Sequence, residues 1–149
     1  MQKSQYNSLV NEGFNHIPLS REVIVDTATP LALYLKLANN PFSYFLESVQ
    51  GGEKWGRYSF IGLAAETVIK VNNYEVRVEK NGKLIQKLIV EDPLAWIEKY
   101  QNEFKVPKLD TLPDFNGGLV GYFGYEIVRY IEPKLAHINK TDELNVPDI

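Results

Sequence analysis

Asn81-Gly82 is the pair of residues that most constrains how this chain folds. A two-residue type I′ turn needs positive φ at both central positions, which Asn tolerates and Gly adopts freely, and its twist matches that of two antiparallel strands. Before the pair, Tyr74, Val76 and Val78 alternate with Glu75, Arg77 and Glu79. That period of two describes a strand with one apolar and one solvated face. The return strand is predicted over Lys83–Ile89. A β-hairpin is thereby fixed in the middle of the chain, and the flanking segments must be fitted around it.

Those segments carry further strand and helix signals. Glu22-Val23-Ile24-Val25-Asp26 is rich in β-branched residues and predicts a strand, as do residues 42–49, 58–63 and 67–71. Thr29-Pro30 and Asp92-Pro93 each place a capping side chain before a proline at the first helical position. The first predicted helix carries Leu31, Tyr34, Leu35 and Ala38 at helical spacing and ends before Pro41. The second carries Leu94, Ile97, Gln101 and Phe104. Residues 106–116 hold two prolines and predict a loop. Gly117-Gly118-Leu119-Val120-Gly121-Tyr122 then predicts a buried strand of little bulk, and residues 124–131 a short helix closed by Pro133. Strands with interspersed helices and one clear hairpin point to an α+β fold, a mostly antiparallel β-sheet with a few packed helices.

Charge and composition exclude several functions. The 149 residues carry a formal charge of -3, which opposes a general electrostatic grip on nucleic acid or on an anionic membrane. No apolar run approaches the roughly 18 residues of a membrane span, and no apolar signal core follows Met1, so a cytoplasmic protein is expected. Without cysteine there are no disulfides, thiol nucleophiles or thiolate metal sites. His16 and His137 lack spaced ligand partners for zinc. No pair of carboxylates is spaced for acid–base catalysis, so no catalytic or metal-binding residue is assigned.

Two segments concentrate groups that could carry chemistry. In Glu47-Ser48-Val49-Gln50-Gly51-Gly52-Glu53, followed by Gly56-Arg57-Tyr58-Ser59-Phe60-Ile61-Gly62, polar side chains lie in an apolar setting. Glu47 beside Ser48, expected at the end of a buried strand, suits an ammonium group. Arg57 suits either Glu47 or the carboxylate of a zwitterion, and apolar neighbours suit a side chain. An amino acid would meet all three. On spacing alone the simpler reading stands ahead, in which Glu47 and Arg57 pair across a hairpin and the glycines only make its turn. The second segment, Gly117 to Glu126, lacks the Gly-Lys-Ser/Thr ending of a phosphate loop and the context of a dinucleotide fingerprint, so close backbone packing accounts for it.

The first of these segments resembles the amino-terminal domain of anthranilate synthase component I. Thr29-Pro30 with the helix after it, Gly117 to Glu126, and Asp142 to Asp148 resemble further segments of that family in the same order. The resemblance implies a regulatory, tryptophan-binding domain over residues 1–149. It also implies a separate carboxy-terminal domain holding chorismate and magnesium. The complete enzyme, a lyase, would convert chorismate and glutamine-derived ammonia to anthranilate and pyruvate, with a glutamine amidotransferase subunit as partner and tryptophan as feedback inhibitor. Glu47 and Ser48 match the pair that binds the inhibitor, Arg57 matches a basic position lining the pocket, and Tyr58 and Ser59 are its neighbours. Phe45 departs from the aliphatic residue of many relatives. The last residues, Leu144 to Ile149, read as the approach to another element, so a piece of a longer chain is expected. The region Glu47 to Gly62 also fits the large subunit of aminodeoxychorismate synthase, and a stand-alone amino-acid-binding module that catalyses nothing is a third reading.

Overall fold

The computed structural model describes residues 1–48, 58–113, 115–135 and 146–149. Chain contacts divide it into two compact units. One comprises Met1–Glu22, Lys70–Arg77 and Lys87–Ile149, the other Val23–Ile69 and Val78–Gln86.

The central hairpin forms as its turn residues dictate. Strands β4 (Glu75–Lys80) and β5 (Lys83–Ile89) flank Asn81 at φ 50° and Gly82 at φ 73°. Strand β3 (Thr67–Asn72) joins the other side of β4, giving the order β3-β4-β5. Its turn into β4 uses Asn73, also left-handed at φ 54°. Tyr74 therefore sits in that turn and does not start the alternation, while Val76, Val78 and Val71 of β3 are fully buried. On the solvated side Glu75 pairs with Arg77 at 2.5 Å and with Lys87 at 3.0 Å.

In the unit Val23–Ile69 with Val78–Gln86, helix α2 (Pro30–Leu37) begins where the cap predicts, with Thr29 Oγ1 accepting from Ala32 N at 3.2 Å. Beyond it, β1 (Tyr44–Glu47) and β2 (Ser59–Gly62) pair antiparallel, Tyr44 opposite Gly62 and Glu47 opposite Ser59. A β-carbon at residue 62 would run into the Tyr44 ring, so glycine is needed there for space. Tyr34 of α2 stacks on Phe45 at 5.5 Å, and Ala38 is buried, but Leu31 and Leu35 of the expected apolar stripe stay exposed.

In the other unit, α1 (Lys3–Asn11) forms without any side-chain cap bond, which is why no start signal for it stands in the sequence. Asn15 then brackets the end of α3 (Pro93–Asn102), donating to Glu103 O and accepting from Lys105 N, both at 2.7 Å. Asp92 caps α3 through Leu94 N and Ala95 N, as its sequence predicts. A single turn of 3-10 helix (Tyr125–Ile127) leads into α4 (Val128–Ile131), so the helix expected over 124–131 is split in two.

The α+β class is as expected, with the strands shared between two small antiparallel sheets. Two predicted strands are absent. Residues 22–26 make no strand, and Ile24 is 84% exposed. Residues 117–122 make none either, and they are exposed where burial was expected. Gly117 and Gly118 have φ of 145° and 136°, a backbone region open to glycine that interrupts a regular strand. β-branched composition supplies propensity, but a strand exists only with a partner to receive its hydrogen bonds.

Candidate functional site

Antiparallel pairing puts opposite residues on one face of the sheet. Phe45 with Ile61 and Glu47 with Ser59 therefore share a face, the one whose Phe45 ring meets Tyr34. At the end of this face Ser59 Oγ donates to Glu47 Oε1 at 3.2 Å. Glu47 was expected at the end of a buried strand. It does end β1, but burial fades along the strand from half-buried Tyr44 and Phe45 to exposed Leu46 and Glu47. The result is a solvated carboxylate, oriented by a hydroxyl, at the border of an aromatic and aliphatic surface. Such a group attracts an ammonium ion without first losing its own hydration inside the protein.

Of the other residues singled out, Ser48 follows directly and is exposed, and Tyr58 is 58% exposed with its ring 6.2 Å from that of Phe60. Phe60 stands on the opposite side of β2 from Ser59, and the structure joins Glu47 to Ser59. Arg57, with Gly51, Gly52 and Gly56, lies outside the described residues.

A second polar cluster, in the unit containing β3, has no counterpart in the sequence reading. Asp148 is only 8% exposed. Its Oδ2 accepts from Tyr130 Oη at 2.5 Å and from Asn73 N at 2.7 Å, and its Oδ1 accepts from Arg129 Nη2 at 3.3 Å. The Tyr130 hydroxyl also lies against Asn73 O. Main-chain bonds complete the arrangement: Asp148 N donates to Val71 O and Gly124 N donates to Asp148 O, both at 2.7 Å. Burial first, and the bond to Asp148 second, hold the Tyr130 phenol well above its ordinary range. Asn73 and Asp148 are 75 positions apart, too far for spacing to pair them. Their only sequence signal is that Asn72-Asn73 is itself turn-forming.

Beside this cluster a half-open groove of about 580 Å³ runs between Lys70, Asn73, Tyr74, Arg77 and Pro147. None of Glu47, Ser48, Tyr58 and Ser59 lines it. Lys87 first and Arg77 second hold the Glu75 carboxyl on its wall below the usual carboxylate range. His16, weighed as a metal ligand, instead packs edge-on against Phe104 at 4.6 Å. Among the described residues no three His, Asp or Glu side chains gather in a metal-binding group, and no helix is long and apolar enough to cross a membrane.

No family model and no solved structure matches this sequence. Curated proteins do. A Pseudomonas putida protein named anthranilate synthase component 1 is 51% identical over 149 residues, all of this chain and 30% of that protein. Its namesake from Pseudomonas aeruginosa is 50% identical over the same extent. That of Aquifex aeolicus is 41% identical over 125 residues, 83% of this chain and 25% of the relative. The chain thus spans about 30% of the length of the Pseudomonas relatives it matches.

Proposed function

This chain is homologous along its whole length to the amino-terminal region of anthranilate synthase component 1, and from that premise we propose that it is the effector-binding region of such an enzyme, with L-tryptophan as the feedback inhibitor. The full-length protein is then a lyase that makes anthranilate and pyruvate from chorismate, taking ammonia from a glutamine amidotransferase subunit. The observation that carries this proposal is the 51% identity over every residue of the chain to a protein of that name. The names of the relatives favour it over aminodeoxychorismate synthase.

The geometry at the β1–β2 hairpin supports the choice of ligand class. Glu47 is set to take the ammonium group, Ser59 fixes the rotamer of that carboxylate, and Phe45 and Ile61 offer an apolar surface to the side chain. Ser48 adds a hydroxyl, and Arg57 is the counter-charge proposed for the ligand carboxylate. Magnesium belongs to the reaction of the complete enzyme. The described residues gather no ligand set for it, so no step assigned to this chain runs through the metal.

Inhibition follows if tryptophan binds a less active arrangement of the full-length enzyme more tightly than the active one. A coupling of about 1–3 kcal/mol is typical for such a device, or 5- to 150-fold in affinity. The test is the fluorescence of anthranilate formed by the full-length protein with and without L-tryptophan. Glu47→Ala and Ser48→Ala should keep the activity and lose the inhibition. Full inhibition of both variants would sink the assignment of the site, while absence of anthranilate would sink the assignment of the enzyme.

A further inference from the structure

The outward face of β3 and β4 carries groups that the amino-acid site does not use. Lys70 and Asn72 flank the fully buried Val71 along β3, and Glu75 and Arg77 alternate with buried Val76 and Val78 along β4. These four side chains therefore stand on the side of the sheet away from the core. With Ile89 and Pro147 they line the groove of about 580 Å³ beside the Asp148 cluster, all within one compact unit. That volume is in the range of small-molecule sites.

The charge of the groove is opposite to that of the whole chain. The protein carries a formal charge of -3, whereas the groove and its border hold Lys70, Arg77 and Lys87 against the carboxylate of Glu75. The neighbouring Asp148 is matched by Arg129. Glu75 is engaged at both oxygens: Oε1 accepts from Arg77 Nε at 2.5 Å, and Oε2 pairs with Lys87 Nζ at 3.0 Å. Because Glu75 holds Arg77 through Nε, the fork of its two Nη groups is left for another acceptor. A carboxylate fits such a fork with two parallel hydrogen bonds. Asn73 Nδ2 donates to Asn72 Oδ1 at 3.0 Å, which leaves Asn72 Nδ2 as a further donor at the groove.

Tyr74, Ile89 and Pro147 add an apolar wall. The Tyr74 ring is braced by Tyr130 with ring centres 5.4 Å apart, and Tyr130 and the Asn73 amide are both bonded to Asp148. The wall is thus in place before a ligand arrives, which lowers the ordering cost of binding.

We propose that this groove binds a small organic carboxylate with a ring-sized apolar body. The carboxylate is held by the Arg77 fork and Asn72, and the body lies against Tyr74 and Ile89. An amino acid is the wrong ligand here, because Glu75 is already matched by two cations and has no oxygen left for an ammonium group. The site is thus different in kind from that of Glu47 and Ser59, neither of which lines the groove.

NMR of the full-length protein, titrated with benzoate, tests it. The signals of Asn72, Asn73, Tyr74 and Arg77 should shift and saturate at millimolar benzoate. Benzamide, of the same shape but uncharged, should leave them in place. Arg77→Gln should weaken the benzoate affinity read at Asn73 and Tyr74 by at least about 10-fold, as for the loss of a charge-assisted hydrogen bond. Glu47→Ala should leave that affinity unchanged. Unshifted signals of the buried Val76 and Val78 report that each variant is still folded. Absence of shifts at the groove, or equal shifts with benzamide, would overturn the proposal. So would a benzoate affinity that Arg77→Gln does not alter. Inorganic phosphate bound there as tightly as benzoate would overturn it too, by showing a site for any anion that makes no use of Tyr74 and Ile89. Anthranilate formation plays no part in this readout, so the outcome is independent of the assignment of the enzyme.

Discussion

Glu47 and Asp148 each meet a hydroxyl, and they differ in burial and in the number of their partners. Glu47 stands exposed at the end of a hairpin strand, with Ser59 beside it at 3.2 Å. Asp148 is nearly buried and accepts from a phenol, a backbone amide and a guanidinium of its own chain. Desolvating a carboxylate costs several kcal/mol, and only a full set of partners offsets it. Asp148 has that set and is committed to structure. Glu47 has kept its hydration and can still exchange it for an incoming cation. The sharper polar cluster of the two is therefore the less suited to bind a ligand, and the plainer one is the better candidate.

The largest expected effect comes from Asp148→Ala. It removes the acceptor of three donors and leaves Arg129 beside a void, so urea unfolding of the 149-residue chain should show a loss of about 3 kcal/mol. A loss below about 1 kcal/mol would mean that the cluster contributes little to the stability of the fold.

Tyr130→Phe should cost less, about 1–2 kcal/mol, because Asp148 keeps its other donors. It should also change the response to pH. The phenol is held above its ordinary value of 10.0 in the folded state, so the unfolded chain releases that proton first. Stability from this group is thus complete below about pH 10 and falls as the pH rises beyond it. Unfolding titrations from pH 8 to 11 should show that fall in the natural chain and a shallower one in Tyr130→Phe.

The smallest expected effect is that of Glu47→Ala on folding, within about 0.5 kcal/mol, as for an exposed polar contact. The same substitution should abolish the response to tryptophan in the full-length enzyme. Should it destabilise the chain as much as Asp148→Ala, the two carboxylates are alike, and Glu47 is a structural residue after all.

The features that were legible in the sequence are the local ones. Asn81-Gly82 made its type I′ turn, and Thr29-Pro30 and Asp92-Pro93 started their helices, because each of these signals acts over two to four residues. Glu47 and Ser59 could be singled out by type, although their partnership needed the register of β1 against β2. The Asp148 cluster was out of reach, since nothing local links Asp148, Tyr130 and Asn73.

By itself, then, the sequence determined where turns and caps fall, which strand faces are apolar, and which family the chain resembles. Only the tertiary structure decided which apolar strands find partners. Residues 67–72 and 75–80 did, whereas the β-branched residues 22–26 and the glycine-rich residues 117–122 did not. The physical reason is that a turn or a cap satisfies its hydrogen bonds within a few residues, while a strand or a buried carboxylate must be completed by groups remote in the chain or outside it.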